Sequence, residues 1–141
     1  MMDLLNHELD LDDCWAHLNG EAIGRLAVAT DVGVDIFPVN FTVHNRSIYL
    51  RSAPGSKLVD MVKHPIVAFE VDGRQSGMHW SVVAKGEALR LSDDAEIQAS
   101  GVLTLHTATS TVKWNYIRIL PDTVTGRRFS LLEELSEPVN A

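Results

Sequence analysis

The chain has 141 residues, 45% of them apolar and 22% charged, with a formal net charge of -7. That length suits one domain with its own core, the acidic balance argues against nucleic acid or anionic lipid as a partner, and no apolar run approaches the ~20 residues that span a bilayer. The single cysteine, Cys14, excludes an internal disulfide and a cysteine-based zinc site, and with no basic, apolar leader at residues 1–7 the simplest compartment is a reducing cytoplasm.

Residues 10–19 read as a short helix capped by Asp10, with Leu11, Cys14, Trp15 and Leu18 on one side and Asn19-Gly20 ending it. Residues 23–30 read as a strand and Asp31-Val32-Gly33 as a tight turn. Residues 34–44 form a second strand interrupted by Pro38, Asn45-Arg46 a further turn, and 47–52 a third strand. These three make an antiparallel meander, in which Pro38 lacks a ladder donor and belongs at an edge or a bulge. Residues 56–63 read as a helix with Ser56 at its N-cap and Leu58, Met61 and Val62 as its apolar face, ended by His64-Pro65. A buried strand over 66–71, a polar loop over 72–79 and the longest strand, over 80–91, follow. On that last strand Val82, Ala84, Gly86 and Ala88 alternate on one face, and such small residues suit a tightly curved sheet. Ser92 or Asp93 caps a helix to about residue 103. Residues 106–110 read as a loop, 112–120 as a strand, Pro121-Asp122 as a turn, and 124–129 as a last strand. Residues 1–132 thus predict one mainly β (α+β) domain, a small antiparallel barrel flanked by short helices, with a flexible acidic tail over 133–141.

The densest chemistry lies where the third strand meets the second helix. Arg51 and Ser52 end the strand, Pro54-Gly55 turns the chain, and Ser56 and Lys57 open the helix. Two cations, two hydroxyls and the free amides of a helix start suit a dianion, most simply a phosphate. Beside an edge-strand proline, the backbone of Val39, Asn40 and Phe41 offers unpaired groups to a flat heteroaromatic ring. Trp80 opens the longest strand and could stack on such a ring. The P-loop and Gly-x-Gly-x-x-Gly spacings are absent, as is Gly-x-Ser-x-Gly, and the six histidines lack metal-site spacing. No catalytic side chain and no metal site stand out, so any chemistry belongs to a cofactor.

Taken in order, Pro38-Val39-Asn40-Phe41, Ile48-Tyr49-Leu50-Arg51-Ser52, Gly55-Ser56-Lys57, the run 67–72, the run 80–88 and Thr125-Gly126-Arg127-Arg128-Phe129 resemble the pyridoxamine 5'-phosphate oxidase-like superfamily, the FMN-binding split β-barrels, in its short one-domain branch. The resemblance implies a homodimer with two FMN sites at the subunit seam. Arg51, Ser52, Ser56 and Lys57 would hold the phosphate, the backbone around Val39, Asn40 and Phe41 would face the isoalloxazine, and Trp80 and Ser81 would reach the flavin of the other subunit. It further implies an oxidoreductase that passes hydride or electrons between a reduced nucleotide and a small oxidised acceptor. The alternatives are a reductase using the deazaflavin F420, or a non-catalytic flavin store, carrier or sensor. Two departures bear on this. The run Glu133-Glu134-Leu135-Ser136-Glu137 would repel a phosphorylated substrate, so oxidation of pyridoxamine phosphate itself is not expected. The polyanionic tail of F420 would want an extended basic groove, to which Arg127 and Arg128 would contribute, whereas the local cluster fits the single phosphate of FMN.

Overall fold

Alternation of apolar and polar residues at a period of two governs most of the computed structural model, which describes residues 6–105 and 115–130. The elements run β1 (Asn6–Glu8), α1 (Leu11–Asn19), β2 (Ile23–Thr30), β3 (Gly33–His44), β4 (Ser47–Ser52), α2 (Ser56–Lys63), β5 (Ile66–Gln75), β6 (Met78–Arg90), α3 (Asp94–Ser100), a 3-10 turn (Val102–Thr104) and β7 (Asn115–Ser130). The loop expected over 106–110, the first residues of the strand expected from 112, and the tail at 133–141 lie outside the described residues.

The strands pair in the order β4-β3-β2-β5-β6-β7, and β7 returns to β4, so six antiparallel strands close a ring with β1 added along β7. This is the small split barrel expected from the sequence. Inward residues such as Leu26, Ile48, Leu50, Phe69, Val82 and Ile119 fill it. The split lies in β3. Its residues 33–40 pair with β2, and only from Phe41 to His44 does it pair with β4. Among the described residues, the other edge of 33–40 therefore has no strand beside it. Pro38 sits on that edge, where a missing N–H costs no ladder bond.

The helices follow their caps. Asp10 Oδ1 accepts from Asp13 N at 2.8 Å and Asp93 Oδ1 from Ala95 N at 2.9 Å. Cys14, Trp15 and Leu18 turn inward, but Leu11 is 49% exposed and leaves the expected face. Helix α2 begins one residue early: Gly55 is its N-cap, without a side-chain cap, and Ser56 is the first helical residue. Its buried stripe is Leu58 and Met61, while Val62 is 68% exposed. A helix lying over the mouth of a narrow barrel presents only one stripe to it.

Two expected loops are strand instead. Residues 72–75 and 78–79 extend β5 and β6 into a hairpin closed by Ser76 and Gly77, both at positive φ (53° and 76°), the twist that a two-residue hairpin favours. Their polar side chains mimic loop composition because this face looks outward. There Arg25 reaches Glu70 at 2.5 Å and Asp72 at 3.2 Å across the strands. Likewise Pro121-Asp122 does not end a strand, since β7 runs through it. Gly86 pairs with Pro121 and Lys85 with Thr123, so Asp122 is the extra residue of a bulge. A Cβ on Gly86 would fall 2.1 Å from the Leu120 carbonyl oxygen, so only glycine allows the two chains this close where β7 bends.

Candidate functional site

The open edge of β3 and the β4–α2 turn face each other across a cleft of about 440 Å³. Phe37, Pro38, Val39 and Asn40 form one wall. Arg51 and Ser52, at the end of β4, and Lys57, at the start of α2, form the other. The sequence places these runs ten or more residues apart. The hairpin at Asn45-Arg46, both residues at positive φ, folds one back beside the other.

Among the described residues, no carboxylate lines the cleft, and Arg51 and Lys57 are the cations that do. Arg51 stands opposite Tyr116 on β7. Burial pushes its guanidinium below the usual arginine range, and the Tyr116 hydroxyl opposes that shift; the group remains charged. A partly desolvated cation binds an anion more strongly than one in bulk water. Lys57 is exposed, and its Nζ lies 4.0 Å from the centre of the Phe37 ring. Ser52 is buried, and its hydroxyl donates to the Ala53 carbonyl at 3.2 Å. Ser56 contributes the first residue of α2. Val59 N bonds to Gly55 O at 3.2 Å; amides ahead of such a bond have no acceptor within the helix, and no side chain caps them. The cleft thus offers guanidinium, ammonium and helix-start amides at one end and a backbone edge at the other.

Phe41, Trp80 and Ser81 do not line this cleft; the resemblance sets Trp80 and Ser81 at the flavin of a second copy rather than at that of their own chain. Phe41 is buried edge-on to Phe69, with ring centres 4.8 Å apart, and its N–H donates to Ala22 O. Trp80 is buried within its own chain and stacks on His17 at 4.1 Å. Ser81 lies in β6 between Asp72 and Arg127, away from this cleft. Arg127 and Arg128, on β7, pair with β1 and β6 and do not line it either. Sequence reasoning missed Phe37, Leu50, Met61 and Leu105, which complete the walls. Phe37 was discoverable, since it adjoins the Pro38 motif on the inward side of the alternation. Leu105 was not, because its approach depends on α3 and the 3-10 turn covering Tyr49 on β4. Among the described residues, no cluster of three His, Cys, Asp or Glu side chains could hold a metal, and no helix is long and apolar enough to cross a membrane.

The stack of His17 on Trp80 carries a pH dependence. Burial holds His17 below its ordinary value of 6.5; Asp13 and Glu21 pull it upward, and Arg128 adds to the lowering. The folded chain therefore binds the proton less readily than the unfolded one. The contribution to stability is complete above 6.5 and is lost as pH falls from there toward the depressed folded value. Replacing His17 with Phe keeps a flat ring without the charge. In urea melts, the stability advantage of His17→Phe over the parent should be wider at acidic than at neutral pH. An equal difference at both would refute the titration.

A family model described as pyridoxamine 5'-phosphate oxidase matches residues 10–128. The structure of an FAD-binding protein from Mycobacterium smegmatis is 35% identical, with 89% of this chain and 99% of that one covered and a TM-score of 0.75. That of an FAD-binding protein from Mesorhizobium loti is 30% identical, covering 89% and 98%, with a TM-score of 0.79. An uncharacterized protein of Mycobacterium tuberculosis is 36% identical over 87 residues, 62% of this chain and 79% of that protein.

Proposed function

The chain belongs to the pyridoxamine 5'-phosphate oxidase-like family, and from that premise we propose that it binds a flavin nucleotide, FMN in the simplest form, and serves as a flavin-dependent oxidoreductase for a small acceptor. The observation that carries the proposal is the cleft in which Arg51 and Lys57 face the free edge of β3. The donor set suits a phosphate ester attached to a flat heterocycle, and the residues present fit the group. Arg51 would grip two phosphate oxygens, while Lys57 would leave the Phe37 ring to add a point charge. The β3 edge at 37–40 would hold the ring by backbone contacts, and Leu50 and Met61 would exclude water from that part of the cleft. Bound there, the flavin would supply the hydride chemistry that no side chain in the cleft provides.

A homodimer is part of this proposal. On β3 the outward residues Val34 and Ile36 are 71% and 68% exposed, on the strand that carries the cleft wall. A contiguous apolar surface on a strand beside an open cleft suits a second copy of the chain. The seam would then shield the open side of the flavin.

A second reading concerns the nucleotide. Two relatives at 30% identity or more are FAD-binding proteins by name, and FAD carries the same riboflavin phosphate as FMN. A third, non-catalytic reading shares the cleft and is separated by turnover.

The test is direct. The purified chain should take up FMN or FAD, shown by a visible flavin spectrum retained through gel filtration. Turnover with NADH or NADPH against quinones or nitroaromatics then distinguishes an enzyme from a carrier. A colourless protein after incubation with both flavins would refute the proposal. Sedimentation should give a dimer at micromolar concentration that Ile36→Glu dissociates; a monomeric parent chain would remove the seam.

A further inference from the structure

A polar cluster stands one rung away from the anion site. Tyr49 on β4 is the register partner of Arg118 on β7, and Arg51 that of Tyr116. Residues two apart on a strand share a face, so the four form two neighbouring rungs on the outside of the barrel, about 7 Å apart. Helix α3 and the 3-10 turn cover them: Tyr49, Ile97 and Val102 pack together, with Leu105 and Tyr116 against them. Glu96, on α3, fastens this cover to the barrel. Its carboxylate accepts from the Tyr49 hydroxyl at 3.0 Å and from the Arg118 guanidinium at 2.6 Å. Burial, and then the Glu96 carboxylate, hold the Tyr49 hydroxyl above the usual tyrosine range against the opposing pull of Arg118, so it stays a donor. From Glu96 the chain reaches the cleft through a tied segment. The Ser100 hydroxyl donates to Ile97 O at 2.7 Å and accepts from Val102 N at 3.2 Å, and the Thr104 hydroxyl donates to Gly101 O at 2.7 Å. Leu105 follows and lines the cleft.

We infer that Glu96 is a positioning residue for the anion site: clamped to Tyr49 and Arg118, it holds the strap of residues 94–105 down on β4 and β7, so that Leu105 walls the cleft and water is kept from the Arg51 guanidinium. The inference rests on the flavin reading above and deepens it. Burial is what lowers Arg51 from the usual arginine range, and Tyr116, its register partner, belongs to the packing under the strap. A cation with less water about it holds a phosphate more tightly. Glu96 itself does not line the cleft, so its effect runs through Leu105 and Tyr116. An ion pair as open as this one, with both side chains 27% exposed, adds little to global stability. A carboxylate that accepts from two strands at once does, however, fix where the helix above them sits.

Glu96→Ala combined with Arg118→Ala removes the clamp at constant net charge, whereas loss of Glu96 alone would leave a spare cation beside the anion site. Tyr49→Phe is a milder variant that keeps the ring and deletes one hydrogen bond; it carries the same comparison if the double variant does not fold. Fluorescence titration of the full chain with FMN and with riboflavin reads the site. The FMN dissociation constant should rise about tenfold in the double variant and about threefold in Tyr49→Phe, while that of riboflavin, which lacks the phosphate, stays at the parent value. FMN binding should also grow more sensitive to salt, because a solvated ion pair is screened. Hydrogen exchange over residues 91–105 should quicken in both variants. Unchanged FMN affinity, equal losses for FMN and riboflavin, or unchanged exchange at 91–105 would overturn the inference. A parent chain that takes up neither flavin would instead bring down the flavin reading, and exchange at 91–105 would still decide whether the clamp holds the strap, so the two failures are distinguishable.

Discussion

Replacing Arg51 and Lys57 together with alanine is expected to weaken flavin-nucleotide binding by about a hundredfold or more. Hydrogen bonds to a charged partner contribute ~1.5–3 kcal/mol each, and ~3 kcal/mol corresponds to roughly two decades in affinity. The two residues should not share the loss equally. Arg51 is partly desolvated, and its guanidinium can take two phosphate oxygens at once. Lys57 is solvated and must leave its contact with Phe37 before it can reach the phosphate. Arg51→Ala should therefore cost more than Lys57→Ala. Riboflavin, which has no phosphate, should bind parent and double variant about equally. A fluorescence titration in which the FMN dissociation constant of the double variant stayed at the parent value would show that the anion site lies elsewhere.

The second large effect concerns stability. Phe69→Ala should cost ~3–5 kcal/mol, the usual range for deleting a buried aromatic ring and leaving its cavity. Phe69 is fully buried and meets Phe41 edge-on. It also lies directly over Gly24, where a Cβ would come within 2.2 Å of the ring tip. A glycine beneath a phenylalanine is a matched pair, and position 24 carries no side chain that could fill the space left by the ring. Phe69→Leu, which keeps most of the volume, should cost about 1.5 kcal/mol or less. Phe41 is where β3 exchanges β2 for β4 as its partner. Loss of the ring that holds it should thus also loosen the cleft wall at 37–40 and weaken flavin binding. Urea denaturation at unchanged slope measures the first effect, and a loss below about 1 kcal/mol would mean that the barrel core is not organised around this ring.

Local rules served well wherever a feature depended on near neighbours. The caps at Asp10 and Asp93 stand where a carboxylate can reach an amide two or three residues on. The turn at Asn45-Arg46 and the edge position of Pro38 followed from backbone chemistry alone. The same rules misled at 72–79 and at Pro121-Asp122. Polar residues and proline are common in loops, but they are equally at home on the outward face of a barrel and at a bulge. Nothing within a few residues of Asp72 reveals that Arg25, a distant residue, lies across from it.

What the sequence by itself determined was the place of the three α-helices and of β2 to β6, and the close spacing of Arg51, Ser52, Ser56 and Lys57, because strand alternation, helix starts and charge are properties of contiguous residues. Only the tertiary structure decided which of the named side chains share a cleft. Ring closure through β7 turns Phe41 and Trp80 into the core and sets Tyr49 and Arg51 beside Arg118 and Tyr116. The register of strands remote in the chain sets which residues face each other, and that register is chosen by the packing of the whole barrel.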